Sequence, residues 1–551
     1  MGPFTQTGQL TRLALRRDWW RLLLWGVSLV GLMMAVAAKF ATIYGTPAEI
    51  AGITQALKTP AIVALFGPFR LGTHATTAQV FANEMLLFMA LIQVVMSISL
   101  GIHATRHEED TGITELLRAH AIGSLAPLQA AVIELTLINL SIGILDALGL
   151  SLAGLPGATW LGNWVIGLGL AASGWVFGML ALLSAQLADH ATSATGLAYA
   201  LFGLSYLVRM LTDVQAPRYT WLSPLGWVEK LAPYQQPRLL PLILFGGLGL
   251  LCLGSASVWA QCRDLGAGIL TIRAGRATAA RALRGPITLL WRQEYRVIMG
   301  WVLGITVLGA AYGAVFDTIG DILKTNPTMQ QVFGTNALHA ANHQLILTYS
   351  STIALVLTAV ASIPGLQLIF KLYHDDLSGW LDALYARPVS RQRLLLGYTG
   401  SAVTTSCLVF LGGWSGLVLV GNFSLTHAAD GLTWSEFLTG VAGSVPVMAL
   451  LLGLGALVVG AWPQGRLVVW GYLAYAFISQ YLGNLLQLPH WAKSLGVFDW
   501  LPTVPDHAIN WVTVSWELGL AISCGLIGLG SYVRRNLQSH GSQAFHLIFT
   551  I

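Results

Sequence analysis

Charge is scarce in this chain. Only 10% of its 551 residues are Asp, Glu, Lys or Arg, too few to clothe a soluble domain of that length. Cysteine is rarer still: Cys252, Cys407 and Cys524 lie in apolar runs and Cys262 lies beside Arg263 and Asp264. That pattern excludes a disulfide framework and a Cys-x-x-Cys metal site. A phosphate-cradling loop is missing as well. The nearest approach to G-x-x-x-x-G-K-[ST] is Gly52-Ile-Thr-Gln-Ala-Leu-Lys-Thr59, where Leu57 replaces the second glycine, and it reads as an amphipathic loop helix. His103/His107 and His339/His343 share the i, i+4 spacing of zinc proteases but lack the glutamate at 104 and 340. The first pair adjoins Glu108 and goes with the loop described below. No Gly-x-Ser-x-Gly elbow and no carboxylate pair set up for hydrolysis is present. Nothing resembles a cleaved signal peptide: Arg12, Arg16 and Arg17 precede an apolar run of full spanning length, which is expected to stay as an anchor.

Apolar residues fill the space that charge leaves. They make up 55% of the chain, with 60 glycines and 20 tryptophans, and the mean hydropathy is +0.67. This is the composition of a polytopic membrane protein, glycine suiting close helix packing and tryptophan the interfaces. Runs of spanning length fall near 22–40, 81–104, 125–153, 161–187, 191–211, 239–260, 298–318, 345–370, 394–420, 436–461, 467–486 and 515–533, which predicts twelve spans. With the amino terminus in the cytoplasm, 20 of the 29 Lys and Arg fall inside and 9 outside. The positive-inside rule favours that orientation, with both termini cytoplasmic.

One polar stretch occurs twice, as His107-Glu-Glu-Asp-Thr-Gly-Ile-Thr-Glu-Leu-Leu-Arg-Ala119 and His374-Asp-Asp-Leu-Ser-Gly-Trp-Leu-Asp-Ala-Leu-Tyr-Ala386. At a constant offset of 267 the copies share acids at 108/375, 109/376 and 115/382, glycines at 112/379 and leucines at 117/384. Each glycine can open a short helix in a loop between two spans. The halves match elsewhere: basic aromatic stretches Arg16–Arg21 and Arg292–Arg296 before the first span, expected to lie along the interface, and Trp/Pro-rich segments Trp221–Trp227 and Trp500–Asp506 before the last. The expected fold is all-α, two parallel six-helix repeats over 1–260 and 287–551 joined by a basic linker, 261–286.

The second copy continues as Ala386-Arg-Pro-Val-Ser-Arg391 and resembles the loop between the second and third spans of type-2 ABC exporter permeases. The first copy departs from the pattern, with Ala121 and Ser124 where the second has Pro388 and Arg391. Members usually carry six spans and pair; this chain resembles a fused pair, as in exporter permeases for polyketide antibiotics such as tetronasin. The resemblance implies a permease in the bacterial plasma membrane, without a cofactor of its own. ATP and Mg would sit on two separate ATPase subunits forming a homodimer. Hydrophobic or amphipathic cargo, whether drug, antibiotic, lipid-like molecule or peptide, would move outward. It further implies that Glu108, Glu109, Gly112, Glu115, Leu117, Asp375, Asp376, Gly379, Asp382, Leu384, Pro388 and Arg391 form coupling helices that dock on the ATPases.

Intramembrane acids are functional candidates. Glu134 and Asp146 flank Asn139 in the third span, and they read either as polar points on a substrate path or as helix-to-helix hydrogen bonds. The matching Ser401 and Gly413 are uncharged, so the acids read as one-sided. That one-sidedness weighs against the rival reading of an ion-coupled twelve-span carrier. A lipid or glycan transferase, the other rival, would need a catalytic cluster that Asp213, Glu229, Asp317, Asp321, Asp499 and Asp506 do not visibly form in sequence.

Overall fold

The computed structural model describes residues 2–534 apart from 45, 58–62, 64–65, 70–74, 270–277, 280, 282, 319–341, 387–388, 426, 428–429, 482–488, 501–504 and 506–508. Every regular element among the described residues is helical, as expected of a chain whose backbone must satisfy its own hydrogen bonds in hydrocarbon. Two compact units form, Met1–Gly275 and Arg276–Ile551.

The first unit contains α1 (Thr7–Ile43), α2 (Pro47–Ala56), α3 (Thr77–Ile102), α4 (Ile113–Arg118), α5 (Ala126–Ala153), α6 (Trp160–Leu187), α7 (Ala191–Gln215), α8 (Pro224–Lys230) and α9 (Leu240–Cys262). The second contains α10 (Pro286–Gly313), α11 (Asn342–Leu377), α12 (Asp382–Tyr385), α13 (Arg391–Ser424), α14 (Trp434–Ala461), α15 (Arg466–Tyr481), α16 (His490–Ser494) and α17 (Trp511–Arg534). Among the described residues, eleven helices are long and apolar enough to cross a membrane. The run expected at 467–486 corresponds to α15, whose 16 residues span about 24 Å; positions 482–486 lie outside the described residues.

Helix starts follow local sequence. Thr76 and Gln79 form a reciprocal capping box on α3, and Thr433 and Glu436 form one on α14. The basic aromatic stretches, expected as separate interfacial segments, are instead continuous with the helix that follows. Arg16–Arg21 lies inside the 37 residues of α1, and Arg292–Arg296 lies inside α10. No Pro or Gly interrupts Thr11–Trp25 or Ile287–Met299, so nothing in either sequence breaks the helix. The 37 residues of α1 extend about 55 Å, well beyond a hydrocarbon layer of about 30 Å.

In the first unit α6 is the central helix, packed by α3, α5, α7 and α9. Gly143 of α5 and Gly167 of α6 meet so closely that a Cβ on either would collide with the other's carbonyl. In the second unit α10 packs on α13 and α14 on α17, with α11 against α13 and α14. A Cβ on Gly309 would strike the Gly413 carbonyl oxygen, and one on Gly460 would strike that of Gly528. Such backbone approach is what holds helices together where lipid is as apolar as leucine. Gly309→Leu is therefore expected to destabilise the solubilised protein by about 2 kcal/mol or more, whereas Gly300→Leu, with nothing within 4 Å of its Cβ, leaves the thermal midpoint nearly unchanged.

Candidate functional site

The two acid loops are built at the ends of α3 and α11. In the first unit α3 runs on through a π-helical turn, His103–His107, into Glu108–Asp110. Gly112 then adopts φ 77°, a left-handed hinge closed to most side chains, and α4 begins at the next residue. The inner face of α4 places Thr114 in the interior and Leu117 against Leu10, Ala126 and Ala130. Its outer face carries Ile113, Glu115, Leu116 and Arg118, and Leu116 is 72% exposed. The amino-terminal residues brace the loop from below: Gly123 N–H donates to Thr5 O at 3.1 Å and Leu125 N–H to Pro3 O at 3.0 Å.

The acids that open this loop are held inside the protein. Glu108 pairs with Arg17 of α1 at 2.6 Å. Glu109 accepts from Arg106 at 2.9 Å, from both Nη atoms of Arg263 at 2.8 and 2.7 Å, and from the Gly266 N–H at 3.0 Å. Asp110 accepts from the Ala191 N–H at 2.7 Å, at the start of α7. Arg106 itself is only 1% exposed and donates to the carbonyls of Asp189, Gly266 and Ala267. The stretch Arg263–Gly268, expected to be plain linker, is therefore folded against the loop; Gly268 N–H also donates to Asp189 at 2.6 Å. Asp18 binds Arg17, Arg21 and His103, and His103 stacks on His107 at 5.0 Å, which gives that histidine pair its place.

The second loop follows the same plan with different residues. Gly379 takes φ 72°, and a single turn, α12, follows. Asp375 accepts from Tyr398 at 2.8 Å and pairs with Lys371 at 3.4 Å, while Lys371 reaches Glu294 of α10 at 3.3 Å. Asp376 meets the Tyr385 hydroxyl at 3.5 Å, and Tyr385 in turn bonds Tyr532 of α17. Leu381 and Leu384 pack inward, and Arg391 lies over the Tyr385 ring. Outward stand Asp382 and Trp380, the latter 70% exposed; Pro388 lies outside the described residues. Of the residues singled out in sequence, then, Glu115 and Asp382 reach the exposed face, and Leu117 and Leu384 line the inner one. Leu116 and Trp380 were missed. For Leu116 the signal was the helical phase itself, since a leucine at 117 facing inward turns 116 outward; Trp380 lies in the turn before α12, where no helical phase marks it.

Within the helices, Glu134 and Asp146 are buried, and Glu134 Oε2 and both Asp146 oxygens hydrogen-bond nothing in the chain. The helix-to-helix bond belongs to Asn139 instead, which joins Gln93 and Ser97 of α3. The expectation of one-sided acids is corrected by Glu517 in α17, fully buried with neither oxygen bonded; it falls inside the run expected at 515–533 but was not singled out there. His343, one of the histidines paired in sequence, hydrogen-bonds Glu436 and the Asp430 carbonyl, tying α11 to the start of α14; His339 lies outside the described residues.

At the other end of the first unit, Arg209 pairs with Asp213 at 2.7 Å and with Glu229 of α8, and Thr220 donates to Asp213 at 2.7 Å. Asp213 and Glu229, scattered in sequence, are thus one buried cluster with a single arginine between two carboxyls. Burial pushes Glu229 up to about 8, the Arg209 guanidinium opposing this and the Asp213 carboxyl adding to it. Between about pH 4.5 and 8 the native chain holds a proton at this carboxyl that the unfolded chain releases, so stability falls as pH rises through that window. Glu229→Gln removes the proton exchange. The thermal midpoint of the variant should gain on that of the parent as pH rises from about 5 to 9, and an unchanged gap would contradict the assignment.

A family model described as the multidrug efflux system permease Rv1217c, C-terminal domain, matches residues 283–533. Over 539 residues the chain is 30% identical to the multidrug efflux system permease protein Rv1217c of Mycobacterium tuberculosis (strain ATCC 25618 / H37Rv), across 97% of this chain and 95% of that protein. A match of that extent takes in both loops and all eleven long helices. The chain accordingly belongs to the ABC exporter permease family and is a multi-pass protein of the plasma membrane.

Proposed function

We propose that this chain is a membrane-spanning permease subunit of an ATP-driven multidrug exporter, a fused pair of six-span repeats with α15 as its eleventh span and both termini in the cytoplasm. The distribution of 20 and 9 basic residues supports that orientation. The recurrence of the same helix pairings within each unit supports the repeat: first with third span (α1 and α5, α10 and α13), second with fourth (α3 and α6, α11 and α14) and fourth with sixth (α6 and α9, α14 and α17). Two ATPase subunits on separate chains, carrying ATP and Mg, would dock beneath the loops at 107–124 and 374–391.

The observation that carries this reading is the exposed pair Leu116 and Trp380, each beside an acid, Glu115 or Asp382, at the foot of a long helix. An apolar anchor flanked by charge is the ordinary form of a helix laid into a partner's groove. Because the loop acids are bonded back to their own units, a push on α4 or α12 moves the attached spans as rigid bodies. Cargo would meet apolar walls such as the groove of about 250 Å³ lined by Phe177, Leu204, Val208 and Leu248, which suits hydrophobic or amphipathic compounds. Glu134 and Asp146 would be polar points along the path.

Leu116→Asp combined with Trp380→Asp should abolish co-purification of the genomic-neighbour ATPase, or lower its stimulated hydrolysis at least tenfold in lipid, with membrane expression intact. Full assembly by the double variant would remove the coupling role from these loops. The buried, unbonded Asp146 and Glu517, one in each unit, keep an ion-coupled carrier as the second reading; transport that follows a proton gradient without ATP would favour it.

A further inference from the structure

The first turns of α1 carry positive charge that the acid loop does not use. Arg17 is taken by Asp18 and Glu108, and Arg21 by Asp18. Arg12 and Arg16 are exposed, and among the described residues neither has an ion pair or a hydrogen-bonded partner. Together with Gly8, Thr11, Leu15 and Trp19 they line one open recess, and steps of three and four residues put all six on a single helix face. Trp19 is 54% exposed and stacks on Trp20 at 4.7 Å, which steadies that wall. Asp18 is the only acid before Glu49, and it is buried against Arg17, Arg21 and His103. The two free arginines therefore have no free acid beside them on α1.

The same arrangement recurs in the second unit. Arg292 of α10 is exposed and equally without a partner among the described residues, and Tyr295, three residues on, is 49% exposed. Between them Glu294 turns inward to Lys371 near the end of α11, as Asp18 turns to His103 at the end of α3. Each unit thus spends the acid of this stretch on its own second span and leaves an arginine and an aromatic ring outside.

Depth decides what meets them. The apolar run of α1 begins at Leu22; at 1.5 Å per residue Trp19 lies about 5 Å before it and Arg16 about 9 Å, where a headgroup layer of about 5–8 Å borders the hydrocarbon. Arg16 so falls at the level of lipid phosphates, and Arg12, one turn farther, closes the recess from the water side. A guanidinium grips phosphate with two parallel hydrogen bonds, and tryptophan settles at this boundary. A zwitterionic head would bring its own cation among arginines with no free acid to receive it, whereas a head of net negative charge brings none.

We propose that this recess binds the phosphodiester of an anionic phospholipid, held by Arg12 and Arg16 beside Trp19, and that Arg292 with Tyr295 forms a second site of the same kind. Neither ATP nor a partner subunit enters, so the test stands apart from that of the exporter reading. The full chain in detergent is titrated with phosphatidylglycerol, with phosphatidylcholine or with soluble glycerol phosphate, and bound molecules are counted by native mass spectrometry. Phosphatidylglycerol should occupy two tight sites, at least fivefold more strongly than phosphatidylcholine does. Arg12→Gln with Arg16→Gln should remove one site and Arg292→Gln the other, while the thermal midpoint holds. Trp19→Ala, which leaves every charge in place, should weaken the first site at least threefold. Arg466→Gln, at an exposed position opening α15, should change nothing. Equal affinity for the two lipids overturns the proposal, as does an equal loss in Arg466→Gln, which would mean diffuse attraction to positive charge. Displacement of the lipid by glycerol phosphate at the same concentration would make this a site for free anions and overturns it too. So does undiminished phosphatidylglycerol binding when all three arginines are replaced, the result expected if they serve an acidic protein instead.

Discussion

Arg106 holds its charge out of water at the foot of α3, and the rest of the first loop is arranged to answer it. A buried guanidinium without partners would be prohibitively costly. Glu109 meets it, three backbone carbonyls meet it, and the same Glu109 draws in Arg263 from the chain beyond α9. One charge thereby joins the second span, the turn before α7 and the start of the interdomain stretch. The second loop reaches an equivalent rigidity with a lysine, as Lys371 bridges Asp375 to Glu294. In both loops the acids closest to the span serve this bracing, which leaves the tip residues as the surface on which something else can act.

Rigidity at the loop is useful only if the spans behave as rods, and glycine supplies that. At Gly143/Gly167 the helices touch backbone to backbone, as they do at Gly309/Gly413 and Gly460/Gly528. Bulkier side chains would hold them apart and allow sliding. Other glycines, Gly26, Gly31, Gly300 and Gly304 among them, face open space, so the residue's abundance reflects both packing and surface.

Much of this was legible in sequence. Hydropathy gave the long helices, because a spanning helix needs an uninterrupted apolar run and the chain has them. The repeated loops were visible because a left-handed glycine between acids is a local requirement, and Gly112 and Gly379 meet it. What stayed hidden was long-range. Arg263 and Glu109 are 154 residues apart, and Asp213 and Glu229 looked like scattered charges until folding brought them together on Arg209. The resemblance implies a docking role for Glu108 and Glu109, and only three-dimensional context shows that they also pair with Arg17, Arg106 and Arg263. The interfacial stretches at Arg16 and Arg292 read as separate elements from their amphipathy, yet no helix-breaking residue parts them from the spans they lead into.

Site-specific photo-crosslinking tests the central claim most directly. A photoreactive amino acid at position 116 or at position 380, in cells that also express the genomic-neighbour ATPase, should yield an adduct between the two chains. The same probe in place of Leu152, 89% exposed at the far end of α5, should yield none. Adducts at 116 and 380 alone would establish the loops as the docking surface; their absence, or equal capture at 152, would contradict it.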